Sequence, residues 1–346
     1  MRKTQSLLRS RAALLCMAIF SHCANASELR IGLSGEVTSL DPHYLAAQPN
    51  LTVGRHVFES LTDVDPQTKL IPGLAEHWRA LDATTWEFTL RRSVRFHDGS
   101  PFTAEDVRFS FYRAKGSKAL RDRVKDVEIV SPTRVRFVLH QPWPDFMAYY
   151  GTLVSGAGWI VPKGYVEKVG DDGFKKAPVG LGPYKFVSFT PGVELVLEAF
   201  EQYWRKSPSV KRLVFRAIPD ETTRLAALKR GEVDIIYAVG GELAKELQRT
   251  KGLTLKPAVI QGSFWLYFPE QWNNKSPWHD IRVRQAAYHA IDHKTINQAL
   301  LLGHGKITGN GVVPDIFEHY WQAPTPVFDS VKAKKLLADA GYPNGF

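Results

Sequence analysis

The chain has 346 residues, 44% hydrophobic and 23% charged, an ordinary globular composition with room for more than one compact lobe. Its formal net charge is +10, but the first 26 residues hold four basic and no acidic residues, which leaves the remainder at +6. That charge, without a long Lys/Arg block, argues against nucleic-acid binding. Both cysteines (Cys16 and Cys23) fall in the same N-terminal stretch, so residues 27–346 have neither a disulfide framework nor a cysteine nucleophile.

Arg2, Lys3, Arg9 and Arg11 give a basic start, Ala12–Phe20 is a short apolar run, and Ala24-Asn25-Ala26 supplies the small residues read by a signal peptidase. Residues 1–26 are therefore a predicted secretory signal peptide, with an apolar run too short to span a bilayer. A lipid anchor on Cys23 is the weaker alternative, because His22, not a small residue, stands just before that cysteine.

Leu29–Leu33 alternates and reads as the first strand, followed by a loop that ends on Pro49-Asn50. Residues 51–61 have helical spacing, with Val53, Val57, Phe58 and Leu61 on one side. Trp86, Phe88 and Leu90 alternate with polar residues in a strand over 85–96. The next stretch, RFHDGSPFTAEDVRFSF (95–111), crowds His97, Asp98, Glu105 and Asp106 together and raises the question of a metal or acid–base site. Each of the acidic residues has a simpler duty. Asp98-Gly99 is a turn pair, Thr103 a helix N-cap, and Glu105 and Asp106 lie in a first turn whose dipole favours negative charge, with Asp106 completing a capping box.

Strands follow at Val127–Val130 and Arg134–Leu139, and residues 170–182 read as a linker. Tyr184–Phe189, Glu194–Ala199 and Leu213–Ile218 are further strands. Asp220 caps a helix that Gly231 ends, and Val233–Val239 is a new apolar strand. This strand–helix–strand run implies parallel pairing and an α/β region. Residues 264–268 (FWLYF) read as an aromatic strand, 282–291 as a helix with Asp292 capping the next one, and the sequence ends on a short helix and a Gly-Tyr-Pro-Asn-Gly loop.

None of the remaining motifs makes a catalytic site. Gly180-Leu-Gly182-Pro183-Tyr184 fails as a dinucleotide fingerprint, because Lys stands at 185, Pro183 lacks an amide donor and a strand follows; it reads as a tight turn. His289 and His293 are four apart but lack the glutamate of a zinc-protease helix, and Asp292 breaks the helix between them. There is no Gly-x-Ser-x-Gly elbow, and Asp171-Asp172 is read as a solvated turn. The expectation is a protein that is not an enzyme, with no cofactor and no metal.

Six stretches in order, GLAEHW (73–78), WEFTLRRSVRFHDGSPFTAEDVRFSF (86–111), VGLGPYKF (179–186), IPDETTRLAALKRGEVDIIY (218–237), DIRVRQAAYHAID (280–292) and KAKKLLADAGYPNGF (332–346), together resemble the extracytoplasmic solute-binding proteins of the peptide/nickel ABC-importer class, the oligopeptide- and dipeptide-binding family. The resemblance extends over nearly the whole sequence after residue 26. It implies an α/β fold: a two-lobed periplasmic-binding-protein clamp with an inserted α+β domain in lobe one. Mapped on this sequence, lobe one comprises 27–62 and 177–262, the inserted domain 63–176, and a partial lobe two 263–346. Members of the family run well beyond a GYPNGF-like motif. The second lobe is therefore expected to be incomplete and the protein truncated at its C-terminus, to the point where a non-functional product is one alternative.

The resemblance also implies the function: a periplasmic subunit that captures peptides by hinge closure and delivers them to inner-membrane ABC permease and ATPase subunits, as a monomer and without nucleic acid. A nickel chelate, haem or an oligosaccharide is the alternative solute. The stretch Leu45, Ala46, Ala47 and Gln48 corresponds to a cleft-lining segment in peptide binders. Ala46 stands where an oligopeptide binder has an acidic side chain, so recognition there is expected to be apolar or through backbone. Trp265 and Tyr267 are the candidate contacts from lobe two. His293 stands where the family commonly has Arg, and Leu181 where it commonly has Thr.

Overall fold

A computed structural model describes residues 27–44, 48–67, 69–114, 118–151, 158–258, 264–309, 320–324 and 327–346. The expected signal peptide and Leu45–Ala47 lie outside the described residues.

In chain order the elements are β1 (Glu28–Leu33), α1 (Gln48–Val57), β2 (Thr62–Val64), β3 (Leu70–Pro72), β4 (Ala75–Ala80), β5 (Thr85–Leu90), α2 (Ala104–Arg113), α3 (Lys118–Arg121), β6 (Val124–Ser131), β7 (Arg134–Leu139), α4 (Phe146–Tyr150), α5 (Lys163–Lys176), β8 (Tyr184–Thr190), β9 (Glu194–Ala199), β10 (Arg212–Ala217), α6 (Glu221–Lys229), β11 (Ile235–Ile236), α7 (Gly241–Arg249), α8 (Ile281–His289), α9 (His293–Leu301) and α10 (Ser330–Asp339). Two sheets organise them. The first has the order β11-β1-β10-β9-β8, with β1 parallel to both β10 and β11 and the rest antiparallel. The second, β4-β5-β7-β6, is antiparallel throughout.

The expected strand–helix–strand unit is present as β10–α6–β11, and its strands are parallel, but β1 lies between them. This makes the carboxyl ends of β1, β10 and β11 a common edge. One core packs α1 and the segment 159–174 on the first sheet through Val53, Val57, Phe58, Trp159, Phe174 and Phe215. A second core lies under the antiparallel sheet and has an aromatic centre, with Phe88, Phe111, Phe137, Phe146 and Tyr150. The rings of Phe137 and Tyr150 are 4.6 Å apart. Alternation on β5 places Phe88 and Leu90 inside, as the sequence predicts.

Several expectations need correction. The first helix begins at Gln48, so Pro49 falls in its first turn, where a missing N–H costs nothing. It ends at Val57 rather than residue 61, because the carbonyls of Ser60 and Leu61 accept hydrogen bonds from Gly73, Leu74 and Ala75 instead. Val94 and Phe96 are buried but lie in a tight reversal closed by the Arg95–Pro101 bridge, beyond the end of β5. Residues 170–176 are helical, not a linker: Gly170 at φ 70° joins two helical pieces, and Phe174 anchors the second in the core. The strand expected over 233–239 shrinks to Ile235–Ile236. Residues 264–268 form no strand, and Phe264–Tyr267 are all exposed.

Gly180 and Gly182 lie where a turn meets the end of α1. A Cβ on Gly180 would sit 2.0 Å from the Val57 carbonyl oxygen, and one on Gly182 would sit 2.5 Å from that of His56. Gly164, in α5, faces open space. Gly180→Ala is therefore expected to lower the midpoint of urea unfolding by the equivalent of about 2 kcal/mol or more, and Gly164→Ala to leave it unchanged or slightly raised. Equal effects of the two substitutions would contradict this packing.

Candidate functional site

The acid-rich stretch 97–106 is structural. Asp98 Oδ1 accepts from the amide and hydroxyl of Ser100. Asp106 accepts from the amide and hydroxyl of Thr103, closing the capping box, and from the amide of Lys163, while Glu105 pairs with the Lys163 ammonium. His97 clasps the glycine turn: its Nε2–H donates to the Gly182 carbonyl at 2.9 Å, and its Nδ1 accepts from the Gly180 amide at 3.2 Å. Burial pushes its pKa down to about 4, although the Gly182 carbonyl favours the cation. His289 Nδ1 donates to the Val327 carbonyl, and Asp292 caps α9 by accepting from Thr295. Among the described residues no group of three His, Cys, Asp or Glu side chains is placed to hold a metal ion.

A second cluster, which the motifs do not reveal, stands at the entrance to the predicted ligand segment. Asp41 follows the long loop after β1, and its side chain is fully buried against Arg113, the last residue of α2. Arg113 reaches both Asp41 carboxylate oxygens and adds Asp171 of α5 at 2.9 Å. Its Nη1 also donates to His43 Nδ1 at 3.0 Å. A guanidinium only donates, so Nδ1 must accept and the proton sits on Nε2, which donates to the Trp159 carbonyl at 2.8 Å. Tyr44 donates to Asp171, and the Lys175 ammonium lies 4.7 Å from the Tyr44 ring. Asp171 is thus an ion-pair partner in a helix, not a solvated turn residue.

The electrostatics follow from this geometry. Burial, reinforced by the neighbouring Arg113 charge, pushes the His43 pKa down to about 4 although the Trp159 carbonyl favours its cation. Burial also opposes the Arg113 charge, but the hydrogen bonds from Asp41 and then Asp171 more than restore it. Partners from the loop itself, α2, the segment at Trp159 and α5 thereby fix the turn 41–44, and the Asn50 carboxamide holds the same loop from α1 by accepting from the Thr38 amide.

Of the residues the sequence assigns to ligand, Leu45, Ala46 and Ala47 lie outside the described residues, and Gln48 is the first residue of α1. Trp265 and Tyr267 are exposed at 64% and 66% in irregular backbone, open to solvent rather than packed in a core. The carboxyl ends of β1, β10 and β11 provide the remaining geometry. In open α/β sheets ligands bind beyond such ends, and Tyr237, just past β11, keeps 47% of its surface exposed there.

The model of the family described as bacterial extracellular solute-binding proteins, family 5 Middle, matches residues 69–346. The chain belongs to that family. It is a family of solute-binding proteins, not of enzymes. Among its curated relatives the chain is similar to the glutathione-binding protein GsiB of Shigella flexneri serotype 5b, 28% identical over 96% of this chain and 65% of that protein. It is also similar to heme-binding protein A of Haemophilus influenzae, 32% identical over 81% of this chain and 55% of that one. Among solved structures, the family-5 fold is shared with the periplasmic binding protein DppA of Helicobacter pylori in complex with the peptide STSA. The TM-score is 0.79 and the identity 25%, over 92% of this chain and 67% of that one. The α/β periplasmic-binding-protein fold expected from the motifs is therefore present, and the chain spans just under two thirds of the length of the GsiB relative.

His56 is shifted down by burial as well, but the larger shifts of buried His43 and part-buried His97 set the pH dependence. Each has a folded pKa near 4 against an ordinary 6.5, so as the pH falls through that window the unfolded state takes up protons that the folded state refuses. Stability is present above pH 6.5 and lost toward pH 4. Glu59, raised by burial to about 7, acts in the opposite sense and offsets about one histidine's share. Urea unfolding is expected to show a net loss of about 3 kcal/mol between pH 6.5 and 4, with a shallower slope in His43→Gln. A flat profile, or one that rises toward acid, would contradict this assignment.

Proposed function

We propose that this chain is the substrate-capturing subunit of an ABC importer, which binds a short peptide in the periplasm and hands it to membrane permease and ATPase subunits. The observation that carries the reading is the family-5 match over residues 69–346, joined to the likeness to a DppA solved with a bound peptide. A relative named for glutathione, itself a small peptide, supports the same solute class.

In this reading the chain divides as lobe one, 27–62 and 177–262, an inserted domain, 63–176, and part of lobe two, 263–346. Ligand is held against the segment Leu45–Gln48, whose approach is anchored by Asp41, His43 and Arg113, with Trp265 and Tyr267 facing it from lobe two. Capture relies on backbone hydrogen bonds and apolar contact in a desolvated cleft. The chemistry of transport belongs to the ATPase partner, so the chain itself makes and breaks no covalent bond. The residues before Ser27 direct export.

The heme-binding relative makes haem the specific rival. Isothermal calorimetry with di- to pentapeptides, glutathione, haem and a nickel–histidine chelate separates the readings. Saturable heat and a raised melting temperature with at least one peptide are expected. Binding of haem or the nickel chelate with no response to any peptide or glutathione would overturn the peptide assignment.

A further inference from the structure

Arg224, in the first turn of α6, is 2% exposed, yet among the described residues every hydrogen bond it makes goes to a backbone carbonyl. Nη1 donates to Ile218 at 2.7 Å and Pro219 at 3.0 Å, on the connection that leaves β10. Nε donates to Tyr237 at 3.0 Å and Nη2 to Ala238 at 2.9 Å, on the connection that leaves β11. To do so its stem passes across β1, over Gly32, where a Cβ would meet Arg224 Cγ at 3.3 Å and Ile236 Cγ2 at 3.2 Å.

A buried cation is usually matched by a carboxylate. Here four carbonyl dipoles do that work, and each is an acceptor just beyond the carboxyl edge of the parallel strands. Burying those carbonyls without donors is unfavourable. The rigid fork of a guanidinium spans two separate connections at once, which the point charge of a lysine does not. Glu221, three residues earlier on the same helix, accepts from the Gly240 amide at 2.8 Å, so one helical turn grips the segment from both ends. At the first of these grips Ala238 holds a left-handed φ of 54°, a conformation that a non-glycine residue keeps only when its surroundings enforce it.

We infer that Arg224 is a positioning residue that fixes the turn Tyr237–Gly240 on the sheet and holds the exposed Tyr237 ring at the edge where solute is bound. The last clause rests on the solute-binding reading; the clamp itself does not, so its test uses no ligand. Amide hydrogen exchange on the whole chain is measured for Arg224→Lys and for the unsubstituted form. Exchange at the Gly240 amide, which Glu221 accepts from, is expected to rise about tenfold or more while the amides of β1 and β10 change little. Gly32→Ala, which presses on the Arg224 stem without removing the charge, should raise the same amide by a smaller factor and serves if the lysine variant does not fold. Unchanged protection of Gly240, or its loss in step with β1 and β10, would reduce Arg224 to general core packing and overturn the inference.

Discussion

The buried ion pair between Asp41 and Arg113 is the constraint on which the arrangement depends. A charge taken out of water is costly, and it is tolerated here because the two terminal nitrogens of the guanidinium reach both carboxylate oxygens, Asp171 and His43, which leaves only Nε without an acceptor among the described residues. The partners come from four separate places in the sequence: the loop after β1, the end of α2, the segment at Trp159 and α5. Removing one partner strands the other in the interior, a loss of about 3–5 kcal/mol against a typical total stability of about 5–15 kcal/mol. One contact thus joins the parallel sheet's half of the molecule to the antiparallel half, and sets where the backbone enters its candidate ligand segment.

The same logic recurs on a smaller scale. His97 holds the glycine turn at 180–182 through both ring nitrogens, and Arg224 holds two connections through four carbonyls. In each case a polar side chain is committed to fixing irregular backbone, which explains why the titratable residues offer so little for catalysis. A binding protein needs loops that keep their shape at the edge of a cleft, and side chain-to-backbone bonds achieve that without a disulfide.

Local signals were readable in the sequence and long-range ones were not. The Thr103–Asp106 capping box, the Asp220 cap, the positive φ of Gly231 and the alternation of β5 each depend on a few neighbouring residues. Asp41 and Arg113 lie 72 positions apart, and nothing near either marks its partner. The glycines and charges of 170–176 read as a linker because the burial of Phe174 that makes the stretch helical is a tertiary effect. Val233–Val239 looked like a full strand, yet Asp234 is drawn to Arg30, and the carbonyls of Tyr237 and Ala238 are drawn to Arg224. Family membership was legible because six motifs of local turns and caps recur in order. The solute was not, because those motifs build the scaffold and leave the cleft surface unspecified.

The most direct test of the buried pair is a double-mutant cycle between Asp41→Asn and Arg113→Met, read by urea unfolding at neutral pH. Each single substitution is predicted to be strongly destabilising and the pair far less so than their sum, with a coupling of about 2 kcal/mol or more. Additive effects, with no coupling between the two positions, would show that the buried pair does not hold the two halves and the ligand turn together.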